Sequence, residues 1–96
     1  MNDQERLKDA KVLTSDVMLF LDGIYLHNSN NVGFGLLLNA VHTLNIETNF
    51  DIFKTKLKEA YELSLKLVKG DANTKPLLEL EMIIFKLELA LEVVGE

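Results

Sequence analysis

Paired carboxylates on two predicted helices are the residues of this chain whose types and spacing could do chemistry. Glu59 and Glu62 stand three positions apart, and Glu79 lies in the next helical segment. Residues three apart share one face of a helix. Carboxylate oxygens are ligands that Mg²⁺ prefers, and bound Mg²⁺ bridges substrate phosphates. The three side chains are therefore candidate magnesium ligands.

The segment that carries these acids, residues 57–91, resembles the core of the MazG-type nucleotide pyrophosphohydrolases. In that all-α family an E-x-x-E helix faces an E-x-x-D helix around magnesium, and an NTP is cut to NMP and pyrophosphate. Glu59 and Glu62 match the first pair, Glu79 matches the Glu of the second, and Met82 occupies the Asp position. Because a thioether does not hold Mg²⁺, the resemblance implies a degenerate magnesium-dependent hydrolase or a nucleotide-binding protein.

A second interpretation of the same helix is a solvated, charged face. Glu62 lies on the polar side of its helix among Lys58, Lys66 and Lys69, where opposite charges one turn apart stabilise a helix without any ligand. The lysines could also dock against an acidic partner or the acidic fourth helix of a second subunit. We favour this interpretation, with no catalytic residue, metal or cofactor, and keep Mg²⁺ as the alternative.

The remaining chemistry-bearing residues are sparse. His27 and His42 are the two histidines, and no spaced carboxylate accompanies them, so both are predicted to be surface residues. The chain has no Cys, which removes disulfides, thiolate nucleophiles and Cys-ligated zinc.

Composition narrows the class of protein. Ninety-six residues suffice for one domain, residues 1–96, and a formal charge of −5 disfavours nucleic-acid binding. The polar start lacks the features of a secretion signal. The longest apolar stretch, Val12 to Leu26, is too short for a bilayer and contains Asp16 and Asp22. We expect a cytoplasmic protein that binds neither nucleic acid nor membrane.

Apolar residues recur at helical spacing nearly throughout, which predicts helices over about 3–27, 31–45, 49–69 and 75–94. The alternative at Asp22-Gly23, a hairpin turn, is disfavoured because the helical period continues through the pair. Thr48 and Asp51 approximate a capping box at the third helix, and Gly70 is predicted as its left-handed terminating residue. Pro76 suits the first turn of the fourth helix.

Helix three is expected to bury one broad apolar face. Its predicted members are Phe50, Phe53, Leu57, Ala60, Tyr61, Ser64, Leu65 and Val68.

Helix four is apolar on two sides, and four helices rarely cover one member that fully. One arc contains Leu80, Ile83, Ile84, Leu87, Ala90, Leu91 and Val94, and the other contains Leu78, Met82, Phe85, Leu89 and Val93. In helix one, Val12, Leu19 and Leu26 stand seven apart behind the main apolar face, which suits a partner helix or simply broad burial in a small bundle.

The sequence therefore predicts an all-α, four-helix, mostly antiparallel bundle that dimerises through helix four, helix one or both. The expected partner interface comprises Val12, Leu19, Leu26, Leu78, Met82, Phe85 and Leu89. The expected function is a non-enzymatic regulatory or interaction protein, such as an adaptor, inhibitor, immunity-type factor or assembly chaperone. Its partners are a second copy and another protein.

Overall fold

The computed structural model describes residues 2–27, 32–70 and 77–95. Within these ranges it contains four α-helices: α1 (Asp3–His27), α2 (Val32–Ile46), α3 (Phe50–Gly70) and α4 (Leu77–Gly95). The predicted all-α, four-helix class is confirmed, whereas the helix starts predicted at residues 31 and 75 lie outside the described residues. Pro76, which is predicted to lie in the first turn of the fourth helix, is also outside the described residues.

Asparagines begin α1 and α3. The backbone N–H of Glu5 donates to Asn2 Oδ1 at 2.9 Å, and that of Ile52 donates to Asn49 Oδ1 at 3.0 Å. Asn at this position satisfies a donor that has no partner inside the helix. The capping box predicted at Thr48 is therefore wrong by one residue. Asn49 is the cap because the carboxylate of Glu47 accepts the N–H groups of both Thr48 and Asn49 and fixes the link before the helix.

The end of α3 also differs from expectation. Gly70 is the last helical residue rather than the left-handed residue after it.

The helices form a bundle in which chain order is also spatial order. Each helix packs on its sequence neighbours, α4 packs on α1, and α1 and α3 touch only marginally across the centre. Tyr25 lies beside Gly35, and Thr14 bonds Asn45 near the other end of α2. Because the later residue of α1 contacts the earlier residue of α2, these two contacts show that α1 and α2 are antiparallel. The bundle measures 41 × 20 × 17 Å.

The core is a single apolar cluster with contributions from all four helices. Its largest fully buried side chains include Phe34, Phe53, Leu57, Leu80 and Leu87. The α3 face predicted from sequence lies too far toward α4: Leu67 is buried, whereas Phe50, Tyr61, Leu65 and Val68 are only partly buried. The face turns toward α2 because α3 packs on both α2 and α4.

One polar pair interrupts the apolar packing between α1 and α2. The fully buried Thr14 hydroxyl donates to Asn45 Oδ1 at 2.7 Å, and Asn45 Nδ2 donates back to the Thr14 carbonyl at 3.3 Å. Buried polar groups need such partners, since an unpaired one costs about 1–3 kcal/mol.

None of the helices in the described ranges has the combination of length and apolarity needed to cross a bilayer.

Candidate interaction surface

The three candidate magnesium ligands lie on different sides of the bundle. The Tyr61 hydroxyl donates to Glu88 at 2.9 Å, which identifies the side of α4 that faces α3. Lys86 bonds Asp16, which identifies the side that faces α1. Glu79 stands seven residues before Lys86 and so shares the α1 side.

Glu59 and Glu62 lie on the solvent side of α3. Both side chains are exposed. Glu59 stands three residues after Lys56, and Lys56 pairs with Glu47 at the end of α3 that adjoins α2. They therefore face away from Glu79. No group of three acidic or histidine side chains in the described part of the chain could hold a metal ion.

The histidines form no shared site. His42 is exposed, as predicted, and borders a shallow groove of about 270 Å³ between α1 and α2 together with Tyr25 and Asp22. The His27 side chain lies outside what the structure describes.

The second apolar arc of α4 faces solvent. Leu78, Met82, Phe85 and Leu89 are between 37% and 68% exposed, and we call these four residues the α4 row. Val93, predicted with them, is half-buried against the core. The row lies opposite the buried side of α4 and leans toward α1, because Lys86, which bonds Asp16, borders it on that side.

The predicted seam of α1 faces solvent as well. Val12, Leu19 and Leu26 are 62%, 72% and 80% exposed, and we call them the α1 row. The described part of the chain leaves these three side chains exposed. The alternative explanation of the seam, broad burial of α1 within its own bundle, is therefore excluded.

A groove of about 500 Å³ lies between α1 and α4, beside Leu19 of the α1 row. It is lined by Asp16, Leu19, Phe20 and Lys86. Lys86 Nζ lies 3.2 Å from the Asp16 carboxylate and 5.9 Å from the centre of the Phe20 ring. The ion pair and the ring form part of the wall of this groove. We call this the α1–α4 groove.

Sequence reasoning missed the α1–α4 groove. Asp16 and Lys86 are seventy positions apart, and spacing along one helix cannot show which polar residues of two helices will meet. The signal available in the sequence was an acid, Asp16, beside the α1 row and a base, Lys86, beside the α4 row.

Among the described residues the pKa values of Glu47 and Tyr61 are perturbed, and neither residue belongs to the two rows. The N–H of Asn49 and then the ammonium of Lys56 stabilise the carboxylate of Glu47 and lower its pKa. The hydrogen bond to Glu88 raises the pKa of Tyr61. Each shift is explained by a contact between neighbouring elements, so neither indicates a catalytic group.

In comparisons with known proteins, no family model matches the chain, and neither a curated protein nor a solved structure matches it significantly. Function must therefore be argued from the surface of the molecule.

Proposed function

We propose that this chain is a small, acidic, non-enzymatic interaction protein of the cytoplasm, such as an adaptor, inhibitor, immunity-type factor or assembly chaperone. It acts through the α1 row, the α1–α4 groove and the α4 row, which together form one interaction surface. The observation that carries the proposal is the solvent exposure of all seven predicted interface side chains.

The amount of exposed apolar surface supports a binding role. Single exposed apolar residues are ordinary, but contiguous patches beyond a few hundred Å² mark interaction sites on soluble proteins. Val32, Leu36, Ile46 and Ile52 are also exposed, but they are spread over α2 and α3 and do not form rows at seven-residue spacing. The α1–α4 side is therefore the surface to which a partner gains most by binding.

The charge pattern also supports a protein partner. Asp16 and Lys86 neutralise each other in the middle of the surface, so a partner need not supply an opposite charge there. Burying an unpaired charge is expensive, whereas burying a paired one costs far less.

Sedimentation velocity across the micromolar range tests the proposal. We expect concentration-dependent association of the wild-type chain and its loss in a Leu19→Ser, Phe85→Ser double variant. Both side chains are exposed, so the variant should keep its helical circular dichroism. Leu36→Ser, an equally exposed site on α2, is the matched control and should associate like wild type. A clean monomer throughout, with no binding of an apolar dye to this surface, would overturn the proposal.

A further inference from the structure

We propose that the occupant of this surface is a second copy of the chain, placed so that the α4 row of each copy lies on the α1 row of the other. The inference rests on the proposed function and specifies the partner and its orientation. The two-fold axis runs parallel to the helices, so α1 of one copy packs antiparallel to α4 of its mate.

The spacing of the α4 row suits a helical partner. Leu78, Met82, Phe85 and Leu89 alternate by four, three and four positions, which is the a/d repeat of a coiled-coil seam. The α1 row repeats every seven residues, the same period. A helix that presents either row fits a straight partner helix over the whole length of the row.

The two rows also match in height along the bundle. The Asp16–Lys86 pair sets these positions level. In the predicted antiparallel bundle α1 and α4 run in opposite directions, so each step forward in α1 matches a step back in α4. Leu19 is then level with the gap between Met82 and Phe85, and Val12 is level with the helical turn of α4 that contains Leu89. Rotation about an axis parallel to the helices preserves these levels, so the rows meet in register.

Charges beside the rows select this orientation. Glu81, Glu88 and Glu92 flank the α4 row on its α3 side, which the Tyr61–Glu88 bond identifies. If α4 packed antiparallel on α4 of the mate, this acidic stripe would face itself, and like charges in close approach oppose binding.

Packing α4 on the mate's α1 replaces most of that repulsion with attraction. Lys11 flanks the α1 row on its α2 side, since it stands seven residues before Met18, which lines the groove against α2. Lys8 lies one turn before Val12, at the end of the row. Both lysines fall near the level of Glu92. Asp22 falls near the level of Glu81, so one pair of like charges remains. If α4 packed antiparallel on α4 of the mate, the whole acidic stripe would meet like charges.

The area is sufficient for a dimer. Complete side chains of this size expose about 150–200 Å² each, and the observed fractions then leave roughly 700 Å² of apolar surface per copy, close to the about 800 Å² per partner of a standard interface. The Asp16–Lys86 pairs of the two copies face each other as neutral units, so self-association buries no net charge although each chain carries −5.

Disulfide trapping tests the orientation, because the chain has no Cys of its own. Leu19→Cys and Phe85→Cys proteins are mixed in equal amounts and oxidised gently, and the products are separated by mass. We expect the mixed disulfide to exceed both homodisulfides, since a disulfide requires Cα atoms within about 7 Å. Leu36→Cys mixed with Phe85→Cys measures the background from random collision.

Other products have separate meanings. A dominant Phe85→Cys or Leu19→Cys homodisulfide would overturn the orientation but leave the interaction surface intact. Background levels throughout, with wild type that associates through these side chains only with a different protein, would overturn the second copy as occupant. Background levels with monomeric wild type that binds nothing would overturn both proposals.

A charge exchange gives a measurement that does not depend on cysteine chemistry. Lys8→Glu and Glu92→Lys are each expected to weaken self-association about threefold to tenfold, because each puts like charges at both symmetry-related contacts. Mixing the two variants restores opposite charges at both contacts and should restore association. Failure of Lys8→Glu to weaken the dimer would contradict the α4-on-α1 orientation.

Discussion

At the scale of single residues, the buried hydrogen bonds between Thr14 and Asn45 are the most sensitive polar feature of the bundle. Thr14→Val keeps the shape of the side chain but removes the hydroxyl that Asn45 Oδ1 accepts. We expect the free energy of unfolding in urea to fall by about 1 kcal/mol. Thr55→Val is the control: its hydroxyl is exposed and bonds its own helix, so the loss there should be clearly smaller. Equal losses would show that the α1–α2 pair contributes nothing specific.

Glu47 gives the fold a predictable response to acid. Its pKa is lowered in the folded state by Asn49 N–H and by Lys56. A lowered folded pKa contributes stability above the unfolded value, about 4.3, and that contribution is lost as the pH falls through the folded pKa. Glu47→Gln should therefore be less stable than wild type at neutral pH, and the difference should shrink toward zero in acid.

Urea unfolding at a series of pH values measures this difference. Lys56→Gln removes one of the two main causes of the lowered pKa of Glu47 and should give an intermediate pH dependence. A Glu47→Gln curve parallel to wild type between neutral pH and pH 3 would contradict the assignment.

The acidic residues mark the limit of sequence reasoning at this scale. The spacing of Glu59 and Glu62 correctly indicates a shared helix face, but only the packing of α3 and α4 places Glu79 on another side of the bundle. The side on which a helix meets its neighbour depends on contacts such as Tyr61–Glu88, which have no signature in the spacing of a single helix.

At the scale of helices, two residues were candidates for the N-cap of α3, Thr48 and Asn49. The structure assigns the cap to Asn49, whose side chain accepts the N–H of Ile52. Asn49→Ala should lower the free energy of unfolding by about 1 kcal/mol, measured by chemical denaturation. Thr48→Ala is the matched control and should cost less than about 0.5 kcal/mol. The reverse order would restore the capping box that begins at Thr48.

Helix positions could be predicted from sequence because amphipathic periodicity is a local property. Leu80, Ile83, Leu87, Ala90 and Val94 were expected on one arc of α4, and all five are buried. Helix α3 was harder: it packs on two neighbours, so the centre of its buried face depends on both. Leu67 was missed for that reason, and Leu65 was assigned too much burial.

At the scale of the whole molecule, the proposed dimer would link stability to protein concentration. If folding and association are coupled, mass action makes the melting temperature rise with protein concentration. We expect an increase of a few degrees for each tenfold rise in the wild-type chain, measured by scanning calorimetry. Phe85→Ser should melt at a temperature that does not depend on concentration. Concentration-independent melting of wild type would mean that the folded monomer is stable alone.

The order of helices around the bundle has a consequence for biosynthesis. Helices α2 and α3 find both neighbours from adjacent parts of the chain, but α1 obtains its second neighbour from α4, which is synthesised after the other three helices. Until then Phe20 and the side of α1 that carries it have no intramolecular cover. A nascent chain whose α4 is not yet complete therefore leaves this apolar flank of α1 open to chaperones that recognise such surfaces.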